Sequence, residues 1–195
     1  VDVVTPNGFE DDFVWNGREF DEKRAEARRA MIRTAEATLS CKFDGEPLIV
    51  GTSGRYEFRN KGIDIFLDAL KQLAETDALD REVLVYITVP SATTGPRKDL
   101  QAHLADENSP IDPKQNRFCT HYLEHPEWDQ ILNSIAGSVL ANPSSKVKVV
   151  FVPTYLNGRD GIFDKSYYEL LVGMDMTLFP SYYEPWGYTP LESVA

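Results

Sequence analysis

Four short apolar runs interrupt a largely polar chain, and each has the length of a strand rather than of a helix. They are Pro47–Ser53, Val83–Val89, Val147–Val152 and Met176–Phe179. Continuous apolar runs of this size, bounded by turn residues, predict strands buried on both faces, as in a parallel sheet. Between them the apolar spacing changes to that of helices. Phe20–Leu39 is charged and alanine-rich, with Arg28, Met31, Ile32, Ala35 and Leu39 on one face of an amphipathic helix. Ile63, Phe66, Leu67, Leu70 and Leu73 form the stripe of a second helix, with Asn60 as its expected cap. Trp128, Ile131, Leu132, Ile135 and Val139 form a third, which ends before Asn142-Pro143, and Lys165–Val172 forms a short fourth. The segment Ser91–Thr120 is polar and interrupted by proline, and predicts a loop carrying one helical turn.

Strands that alternate with helices predict an α/β fold, a doubly wound parallel sheet of Rossmann-like type. In the common strand order 3-2-1-4 the first and fourth strands are neighbours, and ligands bind beyond their carboxyl ends. The loop after the first strand, Gly54–Gly62, and the loop after the fourth, Ser181–Thr189, are therefore expected to face each other across one crevice. With 195 residues the chain is expected to form one domain, residues 1–195.

Charge narrows the possible partners. A net charge of −11 argues against a non-specific binder of nucleic acid or of an anionic membrane, both of which need an electropositive face. No apolar run approaches the roughly 18–20 residues of a spanning helix and no signal-peptide pattern is present, so a cytoplasmic protein is expected. Cys41 and Cys119 are far apart and outside any CxxC pattern, which favours free thiols over a disulfide framework or a zinc site. His121 and His125 have the spacing of two helical metal ligands, but Pro126 follows and no third ligand is evident. No cofactor is implied.

The two facing loops hold the candidate chemistry. Gly54–Gly62 contains Arg55, Arg59 and Lys61 against a single Glu57. In an ordinary loop these are solvated charges; on a switch-point loop they can grip phosphate oxygens, arginine through paired hydrogen bonds and lysine as a point charge. The spelling is neither a P-loop nor G-x-G-x-x-G. Ser181–Thr189 holds Tyr182, Tyr183, Glu184, Trp186, Gly187 and Tyr188, more aromatic surface than a solvated linker needs. Thr189 is the expected N-cap of a following helix and Pro190 its first residue, which would set unpaired N–H groups against an anion. Glu184 and Glu192 could also serve as the acid and nucleophile of a glycosidase, but the phosphate-binding groups beside them make that the weaker reading.

Glu184-Pro-Trp-Gly-Tyr-Thr-Pro-Leu-Glu192 resembles the paired-glutamate motif of retaining glycosyltransferases built from two facing Rossmann-like domains, the GT-B architecture. The longer run Pro180-Ser-Tyr-Tyr-Glu-Pro-Trp-Gly-Tyr-Thr-Pro190 resembles the glycogen synthase family of fungal and animal type, which uses UDP-glucose. Gly54-Arg-Tyr-Glu-Phe-Arg-Asn-Lys-Gly62, Val150-Phe-Val-Pro-Thr-Tyr-Leu-Asn157 and Ser166-Tyr-Tyr168 extend the likeness. Departures are the poorly matched Ser91–Gln115 and Val152-Pro153, where the family often has His-Pro.

The resemblance implies a truncated GT-B C-terminal domain that binds the nucleotide sugar. Its partners are a UDP-glucose donor and an α-glucan acceptor, and its reaction adds glucose to the 4-hydroxyl of a glucan end. Arg55 and Lys61 would contact the donor diphosphate, helped by the N–H groups of Gly187, Tyr188 and Thr189. Glu184 would lie near the sugar, with Trp186 also at the donor, and Glu192 would hold the ribose hydroxyls. Tyr167 would stack on uracil and the backbone around Tyr155 would read its edge; without the resemblance, an aromatic on a short amphipathic helix is more often a core residue than a base platform. Thr5-Pro-Asn-Gly8 is either a plain turn or the crossover from an acceptor domain. Because the chain stops at Ala195, just inside a helix, it is expected to be a fragment, inactive without its acceptor half. A domain of this fold that only binds sugar nucleotides, and an enzyme using ADP-glucose, are the alternatives. A homo-oligomer of the full-length protein stays open.

Overall fold

Helices and strands alternate along the chain in a computed structural model that describes residues 8–9, 12–76 and 78–195. Helix α1 (Gly17–Leu39) ends where Ser40 turns into the left-handed region, and the Cys41 N–H then donates to the Glu36 carbonyl at 3.1 Å. There follow β1 (Leu48–Ser53), α2 (Ile63–Ala74), β2 (Val83–Thr88), β3 (Thr93–Pro96), α3 (Lys98–Ala105) and β4 (His121–Leu123). The remainder is α4 (Gln130–Ala136), β5 (Val147–Phe151), α5 (Tyr167–Leu171), β6 (Met176–Thr177) and α6 (Tyr188–Val194).

The main sheet is parallel and ordered β5-β2-β1-β6. These are the four apolar runs of the sequence in the expected order, third, second, first and fourth. Alternate residues of the strands feed two separate cores, as a doubly wound sheet requires. Ile49, Leu84, Tyr86 and Val150 pack with Met31 and Ala35 of α1 and with Leu170 and Leu171 of α5. Their neighbours Val50, Val85, Ile87 and Val149 pack with Phe66 and Leu67 of α2 and with Ile131 and Ile135 of α4. Each fully buried aliphatic side chain contributes about 1.5–3 kcal/mol, so helices on both faces are held mainly by these layers.

β6 is shorter than the Met176–Phe179 run predicts; the Leu178 N–H extends its ladder by donating to the Gly51 carbonyl at 2.9 Å. Asp175 compensates for the short pairing. Its carboxylate accepts the Ile49 N–H at 2.8 Å, Arg28 at 2.8 Å and Arg24 at 2.5 Å, tying the entry of β6 to β1 and to α1. Burial pushes the Asp175 carboxyl up, but the Ile49 N–H and the two guanidinium groups outweigh it and hold the group below its usual range.

Three expectations need correction. Ser91–Thr120 is not plain loop: it contains β3 and α3, and β3 pairs antiparallel with β4 just beyond it. The segment is organised by Arg97, only 1% exposed, whose guanidinium meets Asp99 at 2.6 Å and the carbonyls of Asn116 and Cys119 at 2.8 and 3.1 Å. Trp128, expected on a core stripe, is 78% exposed on a separate turn, Pro126–Trp128. Asp129 causes this by capping α4, its carboxylate accepting the Leu132 N–H at 2.8 Å, so that the helix starts after the tryptophan. Likewise α4 stops at Ala136, and Val139 belongs to a further short turn. Thr5, Pro6 and Asn7 of the proposed crossover lie outside the described residues. Among those described, no helix is long and apolar enough to cross a membrane.

Candidate active site

The chain leaves β1 at Ser53 and folds Gly54–Gly62 into a compact turn. The Lys61 N–H donates to the Glu57 carbonyl and the Gly62 N–H to the Arg59 carbonyl, both at 2.8 Å. Tyr56 anchors this loop to α4, since its hydroxyl donates to Asp129 at 2.8 Å and accepts the Ile131 N–H at 3.3 Å. Burial, and next the neighbouring Asp129, push the Tyr56 hydroxyl above its ordinary pKa. Asn60 does not cap α2; its amide donates to Glu57 at 2.6 Å and Gly62, at φ 64°, is the cap.

The loop after β6 closes directly onto this turn. The Tyr182 N–H donates to the Asn60 carbonyl at 3.0 Å. Gly62 approaches the Pro180 carbonyl so closely that a Cβ would stand 2.0 Å from its oxygen. Lys61 Nζ then donates to Glu184 Oε2 at 2.5 Å, with the lysine side chain 12% exposed and the glutamate side chain 30%. Ser181 Oγ reaches the same carboxylate oxygen at 3.4 Å. Gly187 completes the group: it caps α6 at φ 69°, and a Cβ there would lie 3.1 Å from Glu184 Cγ. The helix therefore begins at Tyr188, not after Thr189 as expected, and Pro190 is its third residue. The left-handed turn at Gly187 starts the helix two residues early.

The structure thus brings together Lys61, Glu184 and Gly187, which the sequence placed on two distant loops. Arg55 is exposed and pairs instead with Glu57 of its own loop at 3.2 Å. Tyr182, Tyr183, Trp186 and Tyr188 are exposed around Glu184.

A second cluster forms where α5 meets the end of β1. Tyr167 is half-buried and shares a hydrogen bond of 2.7 Å with Ser53 Oγ, and burial pushes its hydroxyl up to about 12. Its N–H donates to the Leu156 carbonyl at 2.9 Å, which holds α5 against the segment containing Tyr155, itself 74% exposed. Ser166 starts α5 with a capping box to Glu169, a signal legible as Ser-x-x-Glu. Next to Tyr167, Tyr168 donates its hydroxyl to Glu192 Oε1 at 2.9 Å and stacks on Phe13, ring centroids 4.0 Å apart. Glu192, Tyr168, Tyr188 and Phe13 also line an open cleft of about 670 Å³. Ser53, Tyr168 and Phe13 are the members that sequence reasoning missed; no motif marks them, because their partners are remote in the chain.

The histidines take no part. His121 is buried on β4, its ring nitrogens engaged by Thr120 Oγ1 at 2.8 Å and the Asp160 carbonyl at 3.0 Å, and burial lowers its pKa. His125 is exposed in the following turn, so the two never share a helix face. Among the described residues no group of His, Cys, Asp and Glu could hold a metal ion. Cys41 and Cys119 are free thiols, the latter pushed up to about 12 by burial.

The sequence that forms these loops has counterparts in known proteins. Residues 112–195, which include α5, β6 and both glutamates, match the glycogen synthase family model. Glycogen (starch) synthase of Neurospora crassa is 28% identical, that of Caenorhabditis elegans 27%, and the human liver enzyme 29%. Each alignment takes in 98% of this chain, and so includes the Lys61 loop as well as the Glu184 loop. The chain is similar to fungal and animal glycogen synthases. It spans about a third of the length of these relatives, 35–37%. The likeness to glycogen synthases thus extends over the whole sheet, its two switch-point loops and the start of α6.

Proposed function

We propose that this chain forms the donor-nucleotide half of a retaining GT-B glycosyltransferase that moves glucose from UDP-glucose to the non-reducing 4-hydroxyl of a growing α-1,4-glucan. The observation that carries the reading is the contact of Lys61 with Glu184 across the crevice between β1 and β6, at the place where doubly wound sheets bind ligands. The similarity to glycogen synthases supports it independently.

The donor leaves as a nucleotide diphosphate while the anomeric carbon becomes cationic. The catalytic burden is therefore to stabilise negative charge on the departing phosphate. In this reading Lys61 and Arg55 take that charge, Arg55 by leaving Glu57, and the N–H groups at Gly187, Tyr188 and Thr189 add to it. Removal of one such preorganised donor costs roughly 3 kcal/mol in the barrier. Glu184, held beside Lys61, faces the transferred sugar, with Trp186 next to it. Tyr167 offers its ring to uracil, a contact worth roughly 1–3 kcal/mol. The backbone at Tyr155 reads the base edge and Glu192 holds the ribose hydroxyls.

The test is turnover of the full-length protein, acceptor half included, with UDP-glucose and a glucan primer, compared with ADP-glucose and with Lys61→Ala. Transfer from UDP-glucose that falls about a hundredfold or more in Lys61→Ala is expected. Unchanged transfer in that variant, or a preference for ADP-glucose, contradicts the reading.

A further inference from the structure

Tyr168 meets Glu192, Phe13 and Tyr167, which come from three parts of the chain. Its hydroxyl donates to Glu192 Oε1 at 2.9 Å, and its ring lies 4.0 Å from that of Phe13 with only 10° between the planes. Its other neighbour, Tyr167, meets it edge-on at 5.5 Å, and Phe9 in turn packs edge-on against Phe13 at 5.8 Å. Tyr167 is fixed through Ser53 at the mouth of the basic loop. The Phe13 ring, from the segment preceding α1, thus covers one face of Tyr168, while the Tyr168 hydroxyl fixes one oxygen of a carboxylate on α6.

Glu192 has need of such a brace. It belongs to a helix of seven residues with no side-chain cap, and a glutamate has three rotatable bonds through which its carboxylate can swing away. A tyrosine clamped by stacking is a rigid donor: two torsions place its hydroxyl, and ring packing removes the freedom of both. The bond occupies Oε1 and so turns Oε2 in a fixed direction.

We propose that Tyr168 is a positioning residue for nucleoside recognition, holding the Glu192 carboxylate in the orientation that accepts the two ribose hydroxyls. The proposal rests on the reading above that this is the donor site. Glu192 touches the ligand; Tyr168 acts only through it, braced by Phe13.

The experiment measures affinity of the protein and of Tyr168→Phe for UDP, for 2′,3′-dideoxy-UDP and for inorganic pyrophosphate. Tyr168→Phe keeps the ring and its stack and removes only the hydroxyl. UDP is expected to bind about tenfold more weakly to the variant, as for loss of a hydrogen bond to a charged group. Dideoxy-UDP, which has no ribose hydroxyls for Glu192 to hold, and pyrophosphate are expected to bind both proteins equally. Equal weakening of all three ligands shows a merely structural tyrosine and overturns the proposal, as does unchanged UDP affinity. If the wild-type protein binds pyrophosphate but distinguishes neither UDP nor its dideoxy form from it, the donor-site reading itself has failed, and that result differs from any effect of the variant.

Discussion

Lys61 and Glu184 stand 123 residues apart in the chain and 2.5 Å apart in the fold, joined across the crevice between β1 and β6. The pair bears on the proposed function, in which the lysine assigned to the diphosphate already holds a carboxylate. A ligand must compete for it.

Glu184→Gln removes the competitor's charge while keeping its shape. UDP affinity is expected to rise about threefold or more, since a largely shielded lysine gains by exchanging a neutral amide for a phosphate. Turnover of the full-length protein is expected to fall about a hundredfold with the same substitution. Calorimetry and initial rates measured side by side check this; a variant that loses both affinity and rate contradicts competition at Lys61.

Gly62 is where the two loops are closest. A methyl group there would meet the Pro180 carbonyl oxygen at 2.0 Å on a backbone with φ 64°. Gly62→Ala is expected to destabilise by roughly 2–4 kcal/mol, combining the left-handed penalty with overpacking. Weaker UDP binding should accompany the loss, because the clash forces apart the loops that carry Lys61 and Glu184. Thermal unfolding together with a UDP titration tests both parts, and a variant as stable as wild type refutes the close approach.

Asp175 makes the stability of the fold depend on pH in a known direction. Its folded pKa is depressed, so its contribution is present above its unfolded pKa of about 3.9 and is lost as pH falls through the folded value. Asp175→Asn is expected to cost about 2 kcal/mol at pH 7, for it weakens the bonds to Arg24, Arg28 and the Ile49 N–H together. The difference from wild type should begin to shrink below about pH 4, where the unfolded carboxyl takes up its proton, and vanish once pH has fallen through the depressed folded value. Denaturant unfolding across pH 2–7 reads this, and a constant difference would show that the charge does not matter.

The sheet was legible because its signals are local. Leu48-Ile-Val50, Val83–Val89 and Val147–Val152 are apolar on both faces, and the topology rule for alternating strands and helices supplied their order and the meeting of the two loops. The candidate site was legible as far as its loops, since Lys61 and Glu184 stand in unusual local company, whereas Arg55 of the same basic run pairs with Glu57 instead. What stayed hidden depends on single buried polar side chains. Arg97 organises β3, α3 and β4 from a segment with no apolar period, and Asp129 expels Trp128 from a stripe that looked continuous. Helix starts were misplaced at Asn60 and Thr189 because a left-handed glycine, Gly62 or Gly187, caps each helix instead. The contacts of Ser53 with Tyr167 and of Tyr168 with Phe13 and Glu192 leave no local trace, for each joins remote segments.

In the proposed function, the turn bearing Lys61 and the turn bearing Glu184 form one diphosphate-binding site. Titration of UDP into the protein and into Lys61→Ala, each confirmed as folded, tests it most directly. Saturable binding by wild type, weakened about tenfold or more in the variant, is the predicted result. Folded wild-type protein that binds no UDP, or equal binding by both proteins, contradicts it.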